Sequence, residues 1–232
     1  MPVKTIKSFI KKNPHIWWAL YLLVYLALYL TVEHVVDGSK PYWVPYLPLD
    51  DVLPFCELFI VPYCTWYPIL VATGLYLMFK NGGAFRRYMQ FIAIGFTIST
   101  LICFLVPNGQ NLRPEHFARD NIFTRLIADI YAADTNTNVF PSVHVVGCFA
   151  ACFAMFDAGE LWRLRVPMVL QGILISVSTV MIKQHSTLDI VGAIALCVPI
   201  WIFLRHRRSV ELEKEKNPGK KDPSSEAADP AE

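Results

Sequence analysis

Charge is scarce in this chain: of 232 residues only 17% are Asp, Glu, Lys or Arg, against 54% hydrophobic. That shortage excludes a soluble nucleic-acid binder, which needs a basic face on a water-borne fold. The formal net charge of +2 points to no other charged partner. No cysteine pair has the Cys-x-x-Cys spacing of a zinc or redox centre. Cys103, Cys148, Cys152 and Cys197 fall inside apolar runs, where cysteine behaves as a small apolar residue. Cys56 and Cys64 flank the start of one run and would pair only in an oxidising compartment. No carboxylate-rich set resembles a metal cage, so chemistry without metal or cofactor is expected. Internal repeats are absent as well.

What the chain does have is long apolar runs. A helix needs ~20 apolar residues to cross a bilayer, and six stretches meet or approach that length: about 16–36, 58–79, 88–106, 141–156, 164–182 and 187–204. The fold class expected is therefore all-α, a polytopic bundle of six transmembrane helices, with the fourth the shortest. Met1 to Asn13 is basic, but a full-length span without a small-residue cleavage site follows it, so the first span is expected to stay in the mature protein. Three regions result: a cytoplasmic segment 1–15, a membrane domain 16–205 and a disordered cytoplasmic tail 206–232.

Lysine and arginine beside the spans give the orientation. Lys4, Lys7, Lys11, Lys12, Lys80, Arg86, Arg87, Arg163, Arg165, Arg205, Arg207 and Arg208 share one side; Lys40, Arg113, Arg119, Arg125 and Lys183 share the other. The richer side is cytoplasmic, which places both termini inside and the plasma membrane as the expected location. The first outer loop, rich in proline and in Tyr42, Trp43 and Tyr46, suits the headgroup zone. The long second outer loop, from Pro107 to Phe140, contains an amphipathic helix over Asn121–Ala132, with Ile122, Leu126, Ile127 and Ile130 on one side.

Two segments at span edges concentrate ionisable groups: Asn138 to His144, and Lys183 to Asp189. Such groups are costly at a membrane and are functional candidates. Pro141 suits the first turn of a helix, which would leave N–H groups around Ser142 and Val143 free for an anion. His144 follows one residue further in. His185 and Asp189 are four apart, so a helix starting near His185 puts them on one face, with the carboxylate fixing the imidazole tautomer. Lys183 reaches the same point only through a non-helical turn. Arg113 offers a planar fork for phosphate oxygens. Taken singly, each group also has a plain structural role: an interfacial ion pair, a satisfied histidine or a headgroup contact. Together they fit phosphoryl transfer through a histidine nucleophile.

Arg113-Pro114, Pro141-Ser142-Val143-His144 and Ser178-Thr179-x5-His185-x3-Asp189 occur in an order and spacing that resembles the type-2 phosphatidic acid phosphatase superfamily, over roughly residues 55–205. That family's signatures are Lys-x6-Arg-Pro, Pro-Ser-Gly-His and Ser-Arg-x5-His-x3-Asp. The resemblance implies a six-span fold with an outward-facing site. It also implies His185 as nucleophile, Asp189 as its orienter and His144 as proton donor, with Arg113, Ser142 and nearby N–H groups, including that of Val143, holding phosphate. Three positions depart from the family: Val106 stands for its lysine, Val143 for its glycine and Thr179 for its last arginine. Lys183 is expected to replace the lost charge. The function expected is an integral-membrane lipid phosphatase with membrane lipids as partners. The alternatives are a lipid phosphotransferase related to sphingolipid or inositol-phosphate lipid synthases, and a catalytically dead lipid-binding fold-mate.

Overall fold

The computed structural model describes residues 12–36, 38–39 and 41–216, leaving out the Lys214 side chain. Most of the basic N-terminal segment, with Lys4, Lys7 and Lys11, lies outside the described residues, as do Lys40 and residues 217–232. The fold is all-helical, with no strand among the described residues.

A 3₁₀ turn (Pro14–Leu20) runs into α1 (Tyr21–Val35). The loop after α1 contains the short α2 (Leu49–Val52) and leads through α3 (Ile60–Cys64) into α4 (Trp66–Lys80). There follow α5 (Gly82–Leu105), the loop helix α6 (Ile122–Ala133), α7 (Val143–Asp157), α8 (Arg165–Met181) and α9 (Thr187–Lys216). Among the described residues, five helical segments are long and apolar enough to cross a membrane: Pro14–Val35, Glu57–Lys80, Gly82–Leu105, Gly159–Met181 and Thr187–Glu213. This is a membrane bundle.

The fourth expected span differs from the other five. It is α7, 15 residues long, or about 22 Å at the usual helical rise, which is short of a ~30 Å hydrocarbon core. It is also the most enclosed helix. Val145, Val146, Ala150, Ala151, Phe153 and Ala154 are each at most 1% exposed, and α4, α5, α8 and α9 all pack on it. By contrast, Val32 is the single buried residue of α1. Leu22, Leu23, Leu26 and Leu30 of that helix stay exposed, which costs nothing where the solvent is lipid.

Close approach to α7 is allowed by glycine at one critical place. A Cβ on Gly147 would lie 2.6 Å from Trp66 Nε1, so a bare backbone there lets the indole lie flat against the start of α7. At the opposite end of α7, the buried Asp157 pairs with Arg87 of α5 at 2.8 Å and Arg208 of α9 at 3.0 Å. Arg208 is within reach because α9 continues to Lys216, about 45 Å in all. The disordered tail expected from residue 206 is therefore corrected: 206–216 is helix, tied back by the Asp157 pair and by Arg86 with Glu211 at 3.1 Å.

The amphipathic loop helix forms as α6, one residue later than the pattern placed it. Asn121 caps it, accepting from the Phe123 and Thr124 N–H groups, while Thr124 Oγ1 accepts from the Asn121 N–H. Ile127 and Ile130 pack with Ile60, Tyr63 and Ile182, whereas Ile122 and Leu126 remain exposed. Cys56 and Cys64 are both free.

Candidate active site

The chain between α8 and α9 makes a tight reversal. Thr179 C=O accepts from the Gln184 and His185 N–H groups at 2.8 and 3.1 Å, and Lys183 adopts a left-handed φ of 57°. His185 therefore lies two residues before its helix, which starts at Thr187 where the sixth apolar run was placed. Ser186 is the true cap. Its Oγ accepts from the Asp189 N–H at 3.2 Å, and Asp189 Oδ2 accepts from the Ser186 N–H at 2.8 Å. This reciprocal box orients the carboxylate so that Oδ2 also meets His185 Nδ1 at 3.2 Å.

His144 occupies the second position of α7. Its ring packs between Tyr63 and Trp66, with centroids 4.8 and 4.6 Å away, and Trp66 Nε1–H donates to its carbonyl at 2.8 Å. His144 Nδ1 then lies 3.2 Å from His185 Nε2. With Asp189 ionised, His185 Nδ1–H donates to it, leaving the Nε2 lone pair to accept from His144 Nδ1–H. Asp189, His185 and His144 thus form one buried chain; their exposures are 0%, 5% and 8%.

Pro141 does not open the helix. Ser142 is the N-cap and Val143 the first helical residue, so Pro141 lies one position outside. Ser142 Oγ accepts from the Val145 N–H at 3.5 Å, and the Ser142 N–H donates to Asp189 C=O at 3.3 Å, joining the two motifs. The approach to Pro141 is held by Asn108, which is fully buried and whose Oδ1 accepts from the Val139 and Phe140 N–H groups.

The two expected phosphate-binding cations point elsewhere. Arg113 donates to the carbonyls of Tyr131, Asp134 and Thr135 at 3.2, 3.0 and 2.8 Å and to Gln184 Oε1 at 2.5 Å, and it stacks over the Tyr131 ring. Burial lowers its pKa from the usual guanidinium value, against the opposing pull of Asp134. Lys183 Nζ donates to Asp50 C=O at 3.2 Å and Leu53 C=O at 2.7 Å. Its pKa is also lowered by burial, partly offset by Asp50 and Asp51. A non-helical turn at Lys183 is present, but it aims the ammonium at the loop after α1 and not at the histidines.

Measured against known proteins, the chain matches no family model, no curated protein and no solved structure. The site is thus argued from its own geometry.

Asp134 accepts from Tyr29 at 3.1 Å and from Gln184 at 3.4 Å, and burial raises its pKa while His185 and Arg113 oppose that rise. Glu33 accepts from Thr135 at 2.8 Å and Asn138 at 2.7 Å. The Asp134–Asn138 segment therefore contacts Arg113, Gln184 and the end of α1. Sequence reasoning missed Trp66, Tyr63, Asn108 and Ser186 as supports of the site. Of these only Ser186 had a readable signal, since Ser186-Thr187-Leu188-Asp189 is a capping-box pattern.

Proposed function

We propose that this chain is a membrane lipid phosphatase acting through a phosphohistidine at His185. The observation that carries the reading is the buried order Asp189, His185, His144, with His185 Nε2 facing the second imidazole. His185 Nε2 attacks phosphorus, forming an N–P bond as the P–O bond to the leaving alcohol breaks, and His144 supplies the proton that alcohol takes. Water then attacks the phosphohistidine with His144 as base, releasing phosphate and restoring His185. Asp189 stabilises the imidazolium character that develops on His185.

Attack requires reacting atoms about 3–3.5 Å apart, and a 3.2 Å contact between the histidines leaves no room for phosphorus between them. Substrate binding on this reading separates the two rings. The Val143 N–H in the first turn of α7, which has no acceptor within its own helix, then meets the phosphate oxygens, and the Ser142 N–H joins it only on leaving Asp189 C=O. Arg113 and Lys183 act on phosphate only if they leave the carbonyls that now hold them.

The same proposal makes α7 a sixth, centrally buried span, with the site at the outer face and both termini inside. Support comes from the distribution of arginine. Arg87 and Arg208 meet Asp157 at the far end of α7 from His144, and Arg165 and Arg205 bond to Met155 and Phe156 there.

A second reading, a lipid-binding fold-mate without turnover, is favoured by the engagement of Arg113 and Lys183 with backbone carbonyls. Phosphate release from a panel of lipid phosphates, wild type beside His185→Ala, decides between them. Release by the wild type alone supports the phosphatase. Silence from both, with lipid phosphate still bound, supports the fold-mate, and turnover only on adding an acceptor lipid alcohol supports the phosphotransferase.

A further inference from the structure

Asp50 belongs to the loop after α1, 135 residues before His185 in the chain, yet it is 1% exposed. Its Oδ1 accepts from the Thr187 N–H at 2.7 Å, and its Oδ2 accepts from the Leu47 N–H of its own loop at 2.9 Å. Thr187 is the first residue of α9, so its N–H has no acceptor within that helix. A carboxylate placed there also meets the positive end of the helix dipole. The same loop receives Lys183 through two carbonyls, and the Cys56 N–H donates to Met181 C=O at 3.0 Å.

The turn carrying His185 is thus clasped on both sides of that residue, at Lys183 and at Thr187. Two of its carbonyls are also taken: Gln110 donates to Lys183 C=O at 2.9 Å and Tyr131 to Ile182 C=O at 2.5 Å. The Ser186–Asp189 box sets the carboxylate relative to its own helix. What the box cannot do is set the helix start relative to α7, where His144 resides. The chain connecting α9 to α7 is long; the Ser142 N–H on Asp189 C=O ties the two helix starts at one point, and Asp50, a buried residue of a largely exposed loop, holds the α9 start at a second.

We infer that Asp50 is a positioning residue: it holds the first turn of α9, and with it His185, in register with His144. The inference rests on the phosphatase reading for its rate consequence but not for its structural content. Asn is nearly as good a helix-cap acceptor as Asp, while Ala offers none. A displacement of about 1 Å costs on the order of 100-fold in rate.

The test compares Asp50→Ala and Asp50→Asn with the wild type in detergent. Lipid phosphate hydrolysis and the rate of His185 carbethoxylation by diethyl pyrocarbonate, followed by mass spectrometry, are the readouts. Asp50→Ala is expected to lower kcat about 100-fold per folded molecule with little change in KM, and to speed carbethoxylation of His185. Asp50→Asn is expected to restore both. A purely structural role would lower the folded yield and leave kcat per folded molecule and His185 reactivity unchanged, which overturns the inference.

If the wild type hydrolyses nothing, the phosphatase reading fails, while carbethoxylation still decides whether Asp50 holds the ring. If Asp50→Ala does not fold, hydrogen exchange of the wild-type Thr187 amide takes its place. Slow exchange there requires an acceptor from outside α9 and supports the clasp; exchange at the rate of an open amide overturns it.

Discussion

His144 Nδ1 and His185 Nε2 meet at 3.2 Å although 41 residues separate them in the chain. The contact is set from both ends. Trp66 and Tyr63 hold the His144 ring, and Asp189 holds the far nitrogen of His185. A lone pair is thereby aimed at a proton donor inside a membrane protein.

Asp189→Asn keeps the size of the side chain but removes its charge and can present an N–H to His185. The tautomer with a free Nε2 lone pair then loses its support. An expected fall in kcat of about 10³–10⁴-fold follows from the comparable change in histidine triads, measured as phosphate release at saturating lipid phosphate. A fall below tenfold would show that Asp189 does not orient the nucleophile.

Arg113 supports the loop between α5 and α7 through three carbonyls and Gln184. Arg113→Ala should destabilise the protein by about 3 kcal/mol, since hydrogen bonds to a charged group contribute ~1.5–3 kcal/mol each and are not additive. Thermal unfolding in detergent measures that loss. Vanadate binding by the folded fraction reads the second role separately: unchanged affinity would confine Arg113 to holding the loop.

Gly147→Ala puts a methyl group within 2.6 Å of the Trp66 indole. The ring must move, and its bond to the His144 carbonyl lengthens or breaks. Overpacking of this kind costs about 1–3 kcal/mol. Activity should fall together with the melting temperature, and the pairing of Gly147→Ala with Trp66→Phe should be less than additive.

Asp157→Asn breaks a buried carboxylate pair with Arg87 and Arg208 at the far end of α7. A loss of about 3–5 kcal/mol is expected when one partner of such a pair is removed. Because the site is about 20 Å away along the helix, kcat per folded molecule should stay near wild type. A selective drop in kcat would mean that this ion pair controls the register of α7.

By itself the sequence determined the class of molecule, most helix positions and the short list of chemical groups. Hydropathy is local, so apolar runs could be counted directly, and the i, i+4 pairing of His185 with Asp189 holds although His185 precedes the helix start at Thr187. Only the tertiary structure decided which side chains those groups meet. Lys183 and Arg113 carry the right charge for phosphate, but Lys183 found carbonyls of the loop after α1 and Arg113 found carbonyls further along its own loop. Asp50 and Trp66 carry no motif in the sequence, yet they hold the two histidine segments. Nothing in one chain's pattern reports these pairings, because a hydrogen bond between residues 18 to 137 positions apart depends on how helices and loops pack, and that packing is set by many weak contacts at once.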